Sequence, residues 1–169
     1  KDMYKQVSFG KQSLNRLFSS KNVAIPKGQM LINGKWVNSV EGKTFETVNP
    51  ATEEVLGKIQ DGTSKDVDLA VEAAVKAFDG PWRRATVWER YDKIGKFIDL
   101  IQKHADEIAA LDTLDNGKPF EHAKLDVATG IEMLKAYNSQ TPNIYGETIP
   151  LDNGHFCYTR QEPVGVCGQ

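Results

Sequence analysis

The sequence predicts an α/β fold, built in the order β-hairpins, helices, then a further hairpin and a short apolar strand. Three observations carry that prediction. Asn-Gly dipeptides sit between short β-type runs, apolar residues recur at helical spacing through the middle of the chain, and Val164-Gly165-Val166-Cys167 is almost wholly apolar. Such a run suits a strand buried on both faces, as in a parallel sheet covered by helices. No partner strand for it follows within the 169 residues, so the fold is expected to be incomplete in them, α+β leading into α/β.

Ordered structure is expected after the linker Ile25-Pro26-Lys27-Gly28. Residues 30–32 and 35–37 flank Asn33-Gly34, the strongest short-range hairpin signal, because both turn positions need positive φ. Residues 44–48 and 54–59 form a second pair around Asn49-Pro50-Ala51-Thr52. Helical spacing then links Val67, Ala70, Val71, Ala74, Val75 and Phe78, with Thr63 or Ser64 as cap and Gly80-Pro81 as stop. Thr86-Val87-Trp88-Glu89 reads as a capping box opening a helix with Tyr91, Ile94, Ile98 and Ile101 on one face. A third helix carries Ile108, Leu111 and Leu114 and stops at Gly117, with Pro119 just beyond. A fourth runs through residues 125–137 and ends before Pro142. Residues 147–151 and 155–159, around Asp152-Asn153-Gly154, make the last hairpin, with Phe156 and Tyr158 on one face and Cys157 on the other.

Composition narrows the function. With 40% hydrophobic and 26% charged residues, the chain is of the ordinary globular class. Its net charge of −2 gives no field for nucleic acid. The longest apolar runs fall far short of the roughly 20 residues of a membrane span. Two cysteines are too few for a disulfide framework and suggest a reducing compartment. Residues 1–21 hold five Lys or Arg against one acid, with recurring serines, and Leu14, Leu17 and Phe18 able to share a helical face. That is the composition of a mitochondrial transit segment, or of a mildly basic tail.

Local chemistry is sparse. Neither G-x-G-x-x-G nor G-x-x-x-x-G-K-[ST] occurs, so the two common phosphate cradles are missing from these residues. His155 and Cys157 share a strand face, but a metal site needs two further ligands. Cys167 follows a run expected to be buried, which favours a structural thiol over a nucleophile. Asp112 and Asp115, near Asn116-Gly117, read as helix-end turn chemistry rather than an acid–base pair. Trp82-Arg83-Arg84 reads as a solvated loop with one anchoring Trp.

In order, these pieces are specific. Leu31-Ile32-Asn33-Gly34-Lys35-Trp36-Val37 and Phe45-Glu46-Thr47-Val48-Asn49-Pro50-Ala51-Thr52-Glu53-Glu54-Val55 resemble the start of aldehyde dehydrogenases. Pro81-Trp82-Arg83-Arg84, Thr113-Leu114-Asp115-Asn116-Gly117-Lys118-Pro119, and Tyr158-Thr159-Arg160-Gln161-Glu162-Pro163 with the run after it continue the likeness. The resemblance is strongest to the NAD-dependent cytosolic and mitochondrial group.

That resemblance implies a division of the chain. Residues 1–28 would be a tail or transit-like segment, and 29–145 the N-terminal part of a Rossmann-like cofactor-binding domain. Residues 146–162 would be a hairpin of the oligomerisation arm, and 163–169 the first, truncated strand of the Rossmann-like sheet. It implies NAD, or NADP, held mainly by residues beyond this stretch, an aldehyde substrate, and a homotetramer arranged as a dimer of dimers. It implies a Cys thiolate that attacks the aldehyde and a Glu that activates water, neither among these residues, so that no catalytic or cofactor-binding residue falls here. Thr47, through its carbonyl, and Asp115, through its carboxylate, match positions that help hold a structural monovalent cation. Leu125 and Thr129 match a helix that lines the aldehyde tunnel. The expected location is the mitochondrial matrix, with the cytoplasm as alternative. A non-catalytic, crystallin-like or scaffold protein on the same fold is the alternative function, since function lives in sites rather than folds.

Overall fold

The computed structural model describes residues 25–169; the transit-like composition of residues 1–21 lies outside them. Strands β1 (Met30–Ile32) and β2 (Lys35–Val37) pair antiparallel around Asn33 and Gly34, whose φ of 52° and 73° are those the turn demands. Strands β3 (Thr44–Val48) and β4 (Val55–Gln60) pair with a register shift between Thr47 and Val48. Buried Asn49 organises their turn. Its side-chain oxygen accepts the Ala51 N–H at 2.9 Å, and its own N–H donates to the Glu54 carbonyl at 2.9 Å.

Helices follow as α1 (Ser64–Asp79), the single turn α2 (Pro81–Arg84), α3 (Val87–Lys103), α4 (Ala105–Asn116) and α5 (Phe120–Ser139). The Thr86 capping box forms as expected: the Glu89 carboxylate accepts the Thr86 N–H at 2.7 Å, and the Thr86 hydroxyl accepts the Glu89 N–H at 3.2 Å. Pro81-Trp82-Arg83-Arg84 is helical rather than a loop. Arg83 stacks over Phe78 at 5.3 Å, and Trp82 stays 42% exposed instead of anchoring the segment. The last hairpin, β5 (Thr148–Pro150) and β6 (Phe156–Tyr158), has Cys157 half-buried, with Phe156 and Tyr158 exposed on the opposite face.

The core lies where α3, α4 and α5 meet. Its buried apolar residues are Ile98, Ala109, Ala110, Ala123 and Ile131. On α4 this differs from the Ile108, Leu111 and Leu114 stripe: Ile108 is 37% exposed, and the buried residues are Ala109, Ala110 and Thr113. Small residues let two helix backbones approach closely, so the tightest contact falls on the alanine face. Asn138 pins the far end of α5, its amide donating to the Tyr91 carbonyl of α3 at 3.1 Å.

Two apolar features expected to be buried are not. On α1, Val67, Val71 and Val75 are 59%, 46% and 43% exposed, because no element among the described residues lies across that face. Residues 164–167 form no strand; Val164 is 95% exposed and Cys167 is exposed as well. A strand is stabilised by its ladder partners, and among the described residues none stands beside this run.

The hairpins are locked to α1 through one carboxylate. Asp66, 3% exposed, accepts the Thr63 N–H and hydroxyl, both at 2.8 Å, the Val40 N–H at 2.9 Å and the Ser39 hydroxyl at 3.1 Å. Only an ionised carboxylate accepts four donors at once. The backbone N–H groups of Thr63 and then Val40, helped by the two hydroxyls, lower its pKa from 3.8 to about 2. A folded pKa below the unfolded one gives stability that is complete above the ordinary carboxylate range and lost as pH falls through the folded value. Asp66→Asn should therefore melt lower at neutral pH and respond less to acid between about pH 4 and pH 2. Circular-dichroism melts across that window check this, and parallel pH slopes for the two proteins would refute it.

Candidate functional site

The β3–β4 turn and the C-terminus of α4 come together. The helix ends in Gly117, whose φ of 78° is left-handed and whose Cα lies against the turn; a Cβ there would stand 2.9 Å from Pro50 Cγ and 3.3 Å from the Ala51 N. This junction brings together the two residues matched to a cation site, 68 positions apart in sequence. The Thr47 hydroxyl donates to Asp115 Oδ1 at 2.9 Å. Asp115 lies in the last turn of α4, where unpaired carbonyls and the negative end of the helix dipole favour a cation.

Asp112 and Asp115 are not an acid–base pair. Each has its own partner, Thr47 for Asp115 and Lys118 for Asp112. The Lys118 ammonium lies 2.8 Å from Asp112 Oδ2 on α4 and 2.9 Å from Asp126 Oδ2 on α5. Hydrogen bonds to Asp112 and then Asp126 raise its pKa above the usual lysine value, so it stays charged across the physiological range.

Leu125 and Thr129 lie one turn apart on α5 and are both exposed, Leu125 at 66%. Exposed Met133 and Tyr137 continue that face. A cleft of about 370 Å³ between α3 and α5 is lined by Tyr91, Gly95, Ile98, Lys135 and Asn138 among others, and by neither Leu125 nor Thr129. Among the described residues no three His, Cys, Asp or Glu side chains gather into a metal-binding group. Cys167, expected to be buried, is instead exposed, its thiol 3.8 Å from the Gly165 carbonyl.

One organising residue, Asp66, had a faint local signal. The spacing Thr63-x-x-Asp66 is a capping box with Asp in place of Glu, which points to the helix start but not to Ser39 and Val40. Lys118 has no signal at all in local spacing, because its partner Asp126 comes from the next helix.

Known proteins match this framework. The model of the aldehyde dehydrogenase family matches residues 36–169. An aldehyde dehydrogenase of Emericella nidulans is 47% identical over 140 residues, covering 83% of this chain and 28% of that protein. The mitochondrial benzaldehyde dehydrogenase of Antirrhinum majus is 40% identical over 149 residues, 87% of this chain and 28% of that one. The Bacillus cereus aldehyde dehydrogenase, solved as its NAD+ complex, superposes with a TM-score of 0.79 at 45% identity, covering 82% of this chain and 29% of that one. The chain thus spans under a third of the length of the relatives it matches. With the family model covering most of its length, the chain belongs to the aldehyde dehydrogenase family.

Proposed function

We propose that the full-length protein oxidises an aldehyde to a carboxylic acid with NAD as hydride acceptor, through a cysteine thiohemiacetal formed outside these residues. The observation that carries this reading is the family match over residues 36–169. NAD as the acceptor is supported by the Bacillus cereus relative, solved as its NAD+ complex. The resemblance puts the cofactor contacts beyond these residues, and neither of the two common phosphate-cradle motifs occurs in them. Their part is to build the scaffold and, on α5, to present Leu125 and Thr129 to the aldehyde path.

Thr47 and Asp115 fit a structural monovalent cation. A half-exposed strand end supplies a carbonyl, and the helix end supplies a carboxylate in a field already favourable to positive charge. The exposed β5–β6 hairpin, residues 146–162 with its flanks, is the proposed contact between subunits of a dimer of dimers, because an unpaired strand edge invites another chain. Residues 29–145 then belong to the cofactor-binding domain, and residues 163–169 to the first strand of its Rossmann-like sheet, paired once its neighbours are present. A mitochondrial matrix location accords with the basic, Ser-rich composition of residues 1–21 and with relatives named mitochondrial.

Two outcomes follow. Purified full-length protein should reduce NAD+ when given propionaldehyde or benzaldehyde, followed by NADH absorbance; a folded protein that turns over neither overturns the reading. The melting temperature of that protein should rise with potassium or sodium at constant ionic strength. Asp115→Ala should abolish the rise. Thr47→Val should cost about 1 kcal/mol by losing its hydrogen bond, yet keep the cation response, because its carbonyl remains. An unchanged response in Asp115→Ala would remove the site.

A further inference from the structure

The Asn-Gly dipeptide occurs three times, at Asn33-Gly34, Asn116-Gly117 and Asn153-Gly154. It carries a reaction of its own. The backbone nitrogen of the Gly attacks the side-chain carbonyl carbon of the Asn and forms a C–N bond to it. The bond to the side-chain amide nitrogen breaks, and ammonia leaves with the proton that the backbone nitrogen gives up. Water then opens the cyclic imide, at one carbonyl to aspartate and at the other to isoaspartate, whose backbone is one carbon longer. Gly favours the attack because it has no Cβ to crowd the ring. In a folded chain the reaction waits for a backbone nitrogen free of its acceptor and for local opening of the turn.

The three sites differ in how far the fold holds them. The Gly117 N–H donates to the Thr113 carbonyl at 2.9 Å, and its Cα is seated against Pro50 and Ala51. Asn116 can react only after the end of α4 unwinds and leaves that seat. Asn153 lies in the hairpin assigned above to the subunit contact, so its exposure is that of a separate chain. Asn33 is exposed, a Cβ on Gly34 would meet nothing within 4 Å, and among the described residues the Gly34 N–H donates to no acceptor.

The hairpin around Asn33 is also poorly held at its tip. Its strands are three residues each, and the facing pair Leu31 and Trp36 is 59% and 66% exposed. A two-stranded hairpin of this kind is marginal by itself. Its ties are at the base, where the Gln29 amide donates to Asn38 Oδ1 at 2.9 Å and Ser39 and Val40 donate to Asp66. The tip can therefore open while the base stays closed.

We propose that Asn33 is a site of spontaneous covalent modification, losing its side-chain amide through the Gly34 nitrogen. Asn116, in the same dipeptide, is held back by the Thr113 bond and the Gly117 seat. The product adds one negative charge to a chain of net charge −2. In the isoaspartate form the extra backbone carbon breaks the two-residue turn that sets the pairing of Ile32 with Lys35. The change stays local, because the ties at Asn38 and Asp66 do not involve the turn. The proposal is independent of the catalytic reading.

The test is to age the full-length protein in warm, mildly alkaline buffer and follow each Asn-Gly peptide by tryptic mapping and mass spectrometry. The same protein held unfolded in urea gives the intrinsic rates, and there positions 33 and 116 should convert at a similar pace. In the native protein, position 33 should convert about fivefold or more faster than position 116, since one backbone hydrogen bond lowers the open population by about that factor. Aspartate and isoaspartate should both accumulate at position 33. A native ratio no larger than the unfolded one would overturn the proposal. So would a native protein that keeps Asn33 intact while the unfolded chain loses the amide at both positions.

Discussion

The seat of Gly117 against the β3–β4 turn is the constraint on which the remaining geometry depends. The chain has two kinds of structure, short hairpins and a helical cluster, and neither buries much by itself. At the junction, a left-handed Gly lets the α4 backbone end against Pro50 and Ala51 where a Cβ would collide. The Thr47–Asp115 hydrogen bond closes the same contact from the side. Because α4 also packs on α5, the junction sets where the outward face of α5 stands relative to the hairpins.

Electrostatics does what the thin core does not. Asp66 gathers four donors from the loop after β2 and from the start of α1, and Lys118 spans two carboxylates on successive helices. Both are ionised groups whose pKa values move toward the charged form. In a structure whose buried apolar set is mostly alanine, such ties supply the orientation that large interdigitating side chains supply elsewhere. The open apolar face of α1 belongs to the same account. Its valines are placed for burial, and each would contribute on the order of 1 kcal/mol if covered.

Much of the local structure was legible in the sequence, because it depends on near neighbours. Asn33-Gly34 and Asn153-Gly154 adopt positive φ because few other residues do so at low cost, and Thr86 with Glu89 cap a helix through atoms three residues apart. The apolar run 164–167 misled for a physical reason: hydropathy reports a preference for burial, while a strand exists only beside another strand. The alanine face of α4 was hidden because small residues carry little hydropathic weight. Thr47 and Asp115 could be paired only through family resemblance, since no spacing rule links residues 68 apart. Lys118 and Asp126 are only eight residues apart, but Lys118 lies before the start of α5, so no helical spacing rule pairs them.

Native-state hydrogen exchange on full-length protein carrying Gly117→Val tests the junction most directly. A β-branched side chain at φ 78° is strained and meets Pro50, so the seat should open. If the junction holds the two halves together, the amides of Thr44–Val48, Val55–Gln60 and Ala105–Asn116 will lose protection in concert. Loss confined to the last turn of α4, with the β3–β4 hairpin protected as before, would contradict the account.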